Sequence, residues 1–271
     1  MKLYWLKFGD VARLVEIAQE LSCLADGYHM KLLLMHSPHL CYGAYDNGEL
    51  VGAILGVEYE KSAMIKYFIV KKEYQKQGIG KRLLETFLGM VEKKESLSIH
   101  VQKEFVPLLE RYGFVNVMEV GRFVNVGKVP PFHFTNAHAK ELESHNFEAV
   151  VKKLDFETFS EDRSEFLFDE MDRNSSLKFA LKEGFQHSSV INAKEVYLGP
   201  WQAHEKEDAH KMMRGVLYFR GLKKVFADIP LGMPHVVELY KEYNFEEKAR
   251  FYHMHKGKCS VKFENIYAFS L

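Results

Sequence analysis

The residues best suited to chemistry form a short polar loop, Gln75-Lys76-Gln77-Gly78-Ile79-Gly80-Lys81. Apolar residues fill positions 63–70 before it, which predicts a buried strand, and apolar residues recur at helical spacing over 81–91 after it. A strand, a glycine loop and a helix start together present a row of backbone N–H groups. Glycines keep Cβ atoms away from a bound phosphate, and Lys81 and Arg82 add positive charge. The loop is therefore predicted to hold a diphosphate.

The glycine spacing separates this loop from two better-known phosphate loops. It is too short for a P-loop, and it lacks the third glycine of the dinucleotide fingerprint. The pattern Gln75-x-x-Gly78-x-Gly80 instead resembles the acetyl-CoA signature of the GNAT family of N-acetyltransferases, Gln/Arg-x-x-Gly-x-Gly/Ala. The alternative is an ordinary glycine turn that caps a helix.

The GNAT resemblance implies that the backbone of the central strand binds the pantetheine arm and that the loop binds the diphosphate. It also implies a polar residue at the start of a later helix, facing the coenzyme. By this resemblance the acetyl-CoA contacts are Phe68, Ile69, Val70, Gln75, Lys76, Gln77, Gly78, Ile79, Gly80, Lys81 and Gln102.

Composition limits the class of protein. The 271 residues are 47% hydrophobic and 27% charged, as in a globular protein, and they suffice for one large or two ordinary domains. Lys+Arg and Asp+Glu both number 37, so neither a nucleic acid nor an anionic membrane is expected as a partner. The three cysteines form no metal-ligand pattern, and no signal peptide or bilayer span is evident. We therefore expect a cytoplasmic protein.

The predicted order of elements over residues 1–128 is a strand, helices, three antiparallel strands, the signature helix, a strand, a helix and a pair of strands broken at Gly121. The Asn47-Gly48 step predicts a tight hairpin turn. Helices are predicted over Val11–Leu24 and Met30–Met35. This order gives an α/β (α+β) sandwich, with a mixed, mostly antiparallel twisted sheet flanked by helices, and it resembles a GNAT domain.

A second copy of the fold is predicted after a linker over 129–146. In residues 147–271, strands are predicted over Phe147–Leu154 and Ser188–Leu198, and a helix over Ser160–Met171. Leu108-Leu109-Glu110-Arg111-Tyr112-Gly113-Phe114 in the first half also matches Leu239-Tyr240-Lys241-Glu242-Tyr243-Asn244-Phe245 in the second. These observations indicate a tandem duplication.

The second half resembles the C-terminal domain of bacterial acetyltransferases with two GNAT domains. Asp162-Arg163, Asp228-Ile229-Pro230 and Arg250-Phe251 carry this resemblance. Gly199-Pro200-Trp201 is expected at the position of the coenzyme loop, and proline has no N–H to offer a phosphate. Coenzyme binding is therefore expected in the first half only.

The side chains for catalysis are less clear from the sequence. Many GNAT enzymes have a tyrosine that protonates the leaving thiolate, and Leu109 stands there in this chain. Tyr112, one helical turn on, is a candidate substitute, or else a packed aromatic. His100 is the histidine candidate for a base because its ordinary pKa is near neutral, or else it is structural.

Two carboxylates on the strand before the central one are further candidates. Glu58 and Glu60 are two residues apart, so on one strand they would share a face and could accept the proton of an amine. The alternative is a solvated strand edge. His133, His138 and His145 show no recognised ligand spacing, so no metal site is expected.

Two hypotheses follow. The first is an acetyl-CoA-dependent N-acetyltransferase that moves an acetyl group to a primary amine by direct, sequential transfer, because no nucleophile for a covalent intermediate is visible. The second is a non-catalytic acyl-CoA-binding or interaction protein with a degenerate active site. The sequence identifies neither the amine-bearing acceptor nor the oligomeric state.

Overall fold

The computed structural model describes residues 1–21, 23–220 and 223–270. Its strands are β1 (Lys2–Trp5), β2 (Cys41–Asp46), β3 (Glu49–Glu58), β4 (Ser62–Val70), β5 (Ser96–Val101), β6 (Val115–Asn125), β7 (Leu177–Leu181), β8 (Gly184–Asn192), β9 (Glu195–Ala203), β10 (Lys224–Pro230), β11 (Glu246–Gly257) and β12 (Ile266–Ala268). Its helices are α1 (Val11–Glu20), α2 (Gly27–His36), α3 (Ile79–Met90), α4 (Val106–Glu110), α5 (Asn136–Leu142), α6 (Phe147–Phe159), α7 (Ser164–Met171), α8 (Lys206–Arg220) and α9 (Pro234–Glu242).

The chain packs as two compact units. Unit 1 comprises Met1–Ile99 and Lys256–Lys258, and unit 2 comprises His100–His255 and the residues from Cys259 onward. Both combine helices with a mixed sheet, which confirms the predicted α/β class. The units divide the chain differently from the predicted sequence repeat, because β6 forms antiparallel ladders with β10 and β11 and therefore packs in unit 2.

In unit 1 the strands follow the order β1-β2-β3-β4-β5. Neighbouring strands are antiparallel except for β4 and β5, which are parallel. Asn47 and Gly48 have φ angles of 48° and 87° and close the β2–β3 hairpin, as predicted. Asp26 caps α2 by accepting a hydrogen bond from the Tyr28 amide at 3.0 Å.

In unit 2 the strands follow the order β11-β6-β10-β9-β8-β7, and β12 also pairs with β9. The β9–β10 pair is parallel, whereas the other ladders are antiparallel. The largest core cluster joins β7, β9 and β10 to α8 and α9, and it includes Phe179, Trp201, Met212 and Tyr240.

Several predicted elements of the second half differ from the observed ones. Residues 147–154 begin helix α6 instead of a strand, because Phe147, Val150, Val151 and Leu154 recur at helical spacing. The Asn146 side chain caps that helix by accepting from the Ala149 amide at 3.0 Å. The spacing of the apolar residues was therefore the stronger signal in this segment.

The next predicted helix and strand are each interrupted. The predicted helix Ser160–Met171 begins only at Ser164, because Ser160 is left-handed with φ 62° and ends α6. The predicted strand over 188–198 is instead a hairpin of β8 and β9. Asn192 Oδ1 accepts from the Lys194 amide at 3.0 Å and so stabilises the turn.

The predicted boundaries also change between the two halves. The strand pair predicted to break at Gly121 is one continuous strand, β6, and Gly121 pairs there with Ile229. The predicted linker contains α5, and Leu142 of this helix is buried in the unit 2 core. In unit 1 the predicted helix Val11–Leu24 is observed only as α1, and its Ser22 lies outside the described residues.

Candidate functional site

Strand β4 contains a bulge near its middle. Leu55 pairs with Tyr67 and Gly56 pairs with Ile65, so β4 has one residue more than β3 at this point. A Cβ atom on Gly56 would lie 2.6 Å from the Phe87 ring of α3. Cross-strand partners share a face of the sheet and neighbouring residues alternate, so Ile65 faces α3 and Tyr67 faces the opposite side.

The predicted pantetheine-binding segment follows this bulge. The parallel ladder pairs Ser62–Ile65 of β4 with Ser96–Ile99 of β5. Strand β4 then continues through Phe68, Ile69 and Val70, which pair with β3. Phe68 and Val70 are half-buried, and Ile69 is buried. The β4–β5 ladder therefore ends before the segment that the sequence assigned to the coenzyme.

The loop after β4 is held by its own glutamines. The Gln75 Nε2 atom donates to the Val70 carbonyl at 2.9 Å, and Gln77 Nε2 donates to the Glu73 carbonyl at 2.8 Å. Lys76 and Gly78 have positive φ angles of 60° and 81°. Glycine adopts such angles without steric cost, so Gly78 allows the tight entry into α3. Both glutamines are exposed, and each stabilises the loop through one hydrogen bond to a backbone carbonyl.

The start of α3 has the geometry of an anion site. The first helical hydrogen bond runs from the Arg82 amide to the Gly78 carbonyl at 3.1 Å. The amides of Ile79, Gly80 and Lys81 precede it and have no partner within the helix. A Cβ atom on Gly80 would lie 3.4 Å from the Phe68 ring, an ordinary contact, so this position of α3 faces β4. These residues fit a diphosphate group.

Charge around the loop also favours an anion. The first turn of α3 contains no acidic residue, and Lys76, Lys81 and Arg82 are exposed. The positive end of the helix dipole is therefore not neutralised by a carboxylate in that turn. Lys71, by contrast, is almost fully buried and forms an ion pair with Glu49, and its hydrogen bond and charge lower the pKa of Glu49.

Glu58 and Glu60 do not form the predicted pair. Strand β3 ends at Glu58, and Glu60 lies exposed in the following turn, so the two do not share a strand face. The Glu58 carboxylate contacts His39 Nε2 at 2.8 Å and Lys94 Nζ at 2.9 Å. Burial raises the pKa of Glu58, but Lys94 and His39 outweigh it and the pKa is lowered overall. A lower pKa makes Glu58 a weaker base.

The remaining predicted residues lie in unit 2. His100 Nε2 is 2.8 Å from His253 Nδ1, and its ring packs edge-on against Phe269 with centroids 4.8 Å apart. Gln102 is exposed, and its carbonyl accepts from the Phe105 amide at 3.0 Å. Tyr112 is half-buried in the turn after α4. Their roles in catalysis or coenzyme binding stay predictions.

Sequence reasoning missed two histidines with polar partners. In unit 1, His29 Nδ1 lies 3.1 Å from the Tyr67 hydroxyl and is fully buried. In unit 2, His187 lies 2.8 Å from the Gly199 carbonyl through Nδ1 and 2.9 Å from Ser176 Oγ through Nε2. A carbonyl only accepts, so Nδ1 donates to it and Nε2 accepts from Ser176. Each is a lone histidine without a recognised motif, and its partners are 11 to 38 residues away in sequence.

Unit 2 contains a second parallel strand pair with different surroundings. Gly199-Pro200-Trp201 was predicted to form the loop after this strand. The segment instead lies inside β9. The connection from β9 to α8 is His204-Glu205, without glycine. The first turn of α8 contains Glu207 and Asp208, which neutralise the helix dipole locally. This helix start is therefore unsuited to a phosphate.

The C-terminal strand β12 lies against β9 of unit 2. Ile266 pairs with Gln202 and Ala268 with Trp201. The Phe269 amide donates to the Asp228 carbonyl of β10 at 2.9 Å, and the Phe269 carbonyl accepts from the Tyr197 hydroxyl at 2.9 Å. The tail is thus bonded to both strands of the parallel pair.

The described residues contain no group of three His, Cys, Asp or Glu side chains placed to hold a metal ion. Among the same residues, no helix combines the length and the apolar character of a transmembrane segment. His133 and His138 instead line a pocket of about 260 Å³ between α5 and α8, together with Lys211 and Arg214.

Family models identify both halves of the chain. A model described as acetyltransferase (GNAT) domain matches residues 25–130, and a second with the same description matches residues 151–269. The chain belongs to the GNAT acetyltransferase family. The two matches confirm the predicted tandem of GNAT domains. Members of this family generally use acyl-CoA, and the anion-site geometry at the start of α3 fits the diphosphate of that coenzyme.

Two curated GNAT proteins are similar over part of the chain. The chain is 25% identical over 114 residues to the uncharacterized N-acetyltransferase YitH of Bacillus subtilis, covering 42% of this chain and 34% of YitH. It is 28% identical over 108 residues to N-alpha-acetyltransferase 30 of Dictyostelium discoideum, covering 36% of this chain and 57% of that protein. The chain therefore spans about a third and about half of these relatives.

One solved GNAT-like structure is similar over the whole chain. A proposed acetyltransferase from Pyrococcus horikoshii is 21% identical, with a TM-score of 0.84, covering 100% of this chain and 94% of that one. At this identity the likeness concerns the fold alone.

Proposed function

We propose that this GNAT protein is an N-acetyltransferase that binds acetyl-CoA at unit 1 and transfers the acetyl group to a primary amine. The start of α3 is the observation that carries this proposal. Three backbone amides precede the first helical hydrogen bond, Gly78 and Gly80 leave their approach open, and no carboxylate lies in that turn. These groups would hold the diphosphate by hydrogen bonds and by the helix dipole.

The chain's contribution to the reaction is mainly binding and positioning. Acetyl-CoA supplies the activated acyl group as a thioester. The loop would anchor the coenzyme at one end, and the backbone of Phe68, Ile69 and Val70 would align the pantetheine arm. An amine attacks only as the neutral base, so the protein would have to orient it and allow its proton to leave. Direct transfer fits a chain in which no activated nucleophile is assigned to this step.

A binding experiment on one glycine tests the proposal. Gly80→Leu places a side chain between the α3 amides and β4, and we expect acetyl-CoA affinity to fall about 100-fold, or ~2.7 kcal/mol. Gly89→Leu, on the same helix, is the matched control, because a Cβ atom on Gly89 would have no other atom within 4 Å. Calorimetric titration of both variants measures the effect. Equal acetyl-CoA affinities in the wild type and in Gly80→Leu would contradict coenzyme binding at the start of α3.

A non-catalytic acyl-CoA-binding protein is the second candidate, and one observation favours it. Glu58, a candidate base, is occupied by Lys94 and His39, and Leu109 at the usual acid position is buried. Release of free CoA in the presence of a panel of primary amines separates the candidates. Thermal stabilisation by acetyl-CoA without any amine-dependent release would support the second one.

A further inference from the structure

Three buried polar side chains lie in the core of unit 2. Gln186 on β8 is 1% exposed, and Trp201 on β9 and Tyr240 on α9 are 0% exposed. Both amide atoms of Gln186, the Trp201 Nε1 atom and the Tyr240 hydroxyl have no hydrogen-bond partner among the described residues. Buried polar groups in native proteins are nearly always satisfied, so these atoms require an explanation.

The three side chains share one face of the sheet. Gln186 lies opposite Trp201 in the β8–β9 ladder and opposite Phe179 in the β7–β8 ladder. Phe179 and Trp201 both pack in the core cluster that includes Met212 of α8. The Trp201 and Tyr240 rings are 6.0 Å apart between centroids. The three side chains therefore lie on the side of the sheet that packs against α8 and α9.

Aromatic rings surround this region. Tyr267 of β12 stacks on Trp201, with centroids 5.2 Å apart and an interplanar angle of 28°. Phe123 and Phe245 pack edge-on against Tyr240 at 5.9 and 5.0 Å. These rings provide apolar walls, so hydrogen bonding in the region depends on the polar atoms of Gln186, Trp201 and Tyr240.

The hydrogen-bonding groups define the chemistry of an occupant. Trp201 donates one hydrogen bond, the Gln186 amide both donates and accepts, and the Tyr240 hydroxyl does the same. Burial raises the pKa of Tyr240 well above its ordinary value, so the hydroxyl keeps its proton. All three side chains are uncharged, and Asp228, whose charge also raises the pKa of Tyr240, is paired with Arg122. An ion would therefore lose its hydration without gaining a new charge partner.

We infer that Gln186, Trp201 and Tyr240 form an internal site for a small uncharged molecule that both donates and accepts hydrogen bonds. Ordered water and a metabolite with a hydroxyl or carboxamide group share this chemistry. Such a molecule would satisfy the buried atoms by hydrogen bonds. The site is separate from the acetyl-CoA proposal, because it lies wholly within unit 2.

The sign of a stability change tests the inference. Removing a hydroxyl that a bound molecule satisfies destabilises the protein, whereas removing an unsatisfied buried hydroxyl is neutral or stabilising. We expect Tyr240→Phe and Gln186→Met each to lower the unit 2 Tm by roughly 2–4 °C. The positive control is Tyr197→Phe, which removes a hydroxyl bonded to the Phe269 carbonyl at 2.9 Å.

The double variant tests whether one molecule links the two side chains. If it does, the combined Tm loss of Gln186→Met and Tyr240→Phe is smaller than the sum of the single losses. An unchanged or raised Tm in Tyr240→Phe, or strictly additive losses, would overturn the inference. Acetyl-CoA affinity, measured in parallel, is expected to stay unchanged, so failure here leaves the proposed function intact.

Mass spectrometry identifies the source of the bound molecule. The protein is measured under native conditions and again after denaturation. An excess mass that is released on unfolding and is absent from Tyr240→Phe indicates a metabolite. The same Tm pattern without any excess mass indicates water. Both results support a shared occupant.

Discussion

In unit 1 the parallel ladder joins Ser62–Ile65 of β4 to Ser96–Ile99 of β5, and in unit 2 it joins Glu195–Tyr197 of β9 to Lys224–Phe226 of β10. Each ladder stops before its strands end. In unit 1, β4 then leads into the glycine loop and α3. In unit 2 the continuation of β9 pairs with β12, and Phe269 is bonded to both β9 and β10.

The two helices that follow these strands, α3 in unit 1 and α8 in unit 2, differ in the charge at their first turn. Anion binding needs unpaired amides at a helix start, and α3 offers them with Lys81 and Arg82 in its first turn. Helix α8 begins with Glu207 and Asp208, which interact with its own dipole. The C-terminal segment, β12 and Phe269, lies beside β9 and is bonded to it. Coenzyme binding in the first half only stays a prediction.

The largest predicted effect removes the tail's main anchor. Tyr267 is buried and stacks on Trp201, so Tyr267→Ala leaves a cavity and should destabilise unit 2 by about 3–5 kcal/mol. Urea unfolding measures this change, and acetyl-CoA affinity should stay constant while both units are folded. Weakened acetyl-CoA binding under those conditions would show that unit 2 takes part in coenzyme binding.

A pair of alanine substitutions compares Gly199 on β9 with Gly80 at the start of α3. A Cβ on Gly199 would lie 2.1 Å from the Phe269 carbonyl oxygen, so Gly199→Ala should displace the tail at a cost of about 3 kcal/mol. A Cβ on Gly80 would lie 3.4 Å from the Phe68 ring, an ordinary contact. Gly80→Ala should change stability by less than ~1 kcal/mol. Thermal unfolding measures the stability of both variants. Similar losses of stability would contradict the difference in packing between these two positions.

Between pH 8 and pH 5 the stability of unit 2 should depend on pH through His187. Burial lowers the pKa of His187 from 6.5 to about 3, with further contributions from Arg173, Lys178 and Arg220. Below pH 6.5 the unfolded chain binds a proton that the folded chain does not, so stability falls as the pH is lowered toward 3. At pH 5 the loss should be about 2 kcal/mol relative to pH 8.

The matched variant for this pH effect is His187→Gln, which retains hydrogen-bonding groups but does not titrate. Its urea unfolding should show a loss smaller by that amount between pH 8 and pH 5. A wild-type pH profile identical to that of His187→Gln would mean that His187 is protonated equally in the folded and unfolded chain.

The smallest effect concerns thiol reactivity. Burial raises the pKa of Cys41 to about 12, and its thiol donates to the Ser37 carbonyl at 3.4 Å. Cys259, in the segment before β12, is exposed. A thiol reagent at pH 8 should therefore modify Cys259 far faster than Cys41, and peptide mapping by mass spectrometry would show this order. Rapid modification of Cys41 would reveal local opening of unit 1.

The prediction from sequence was most accurate where local signals agree. The strand before the glycine loop, the turn at Asn47-Gly48 and the helix after Gly78 were all predicted, because each is set by neighbouring residues. Helix α6 was mistaken for a strand because Phe147, Val150 and Val151 are residue types that favour strands, although their spacing is helical. The β8–β9 hairpin was missed because its turn, at Ala193-Lys194, contains neither glycine nor proline.

The candidate side chains were harder to predict than the coenzyme loop. Glu58 was expected to accept a proton, but Lys94 and His39 surround its carboxylate, and neither is near it in sequence. His29 and Tyr67 are 38 residues apart and meet only because α2 packs on β4. Side-chain partners of this kind depend on tertiary packing, which periodicity does not report.

The sequence by itself determined the family signature, the tandem arrangement and the helix start at Gly78, because glycine conformation and helix polarity are local properties. Tertiary structure alone decided that Phe269 is bonded to β9 and β10 and that Gln186, Trp201 and Tyr240 are buried together. Those outcomes join residues separated by 15 to 72 positions. The burial of polar groups over such distances depends on how the whole unit packs.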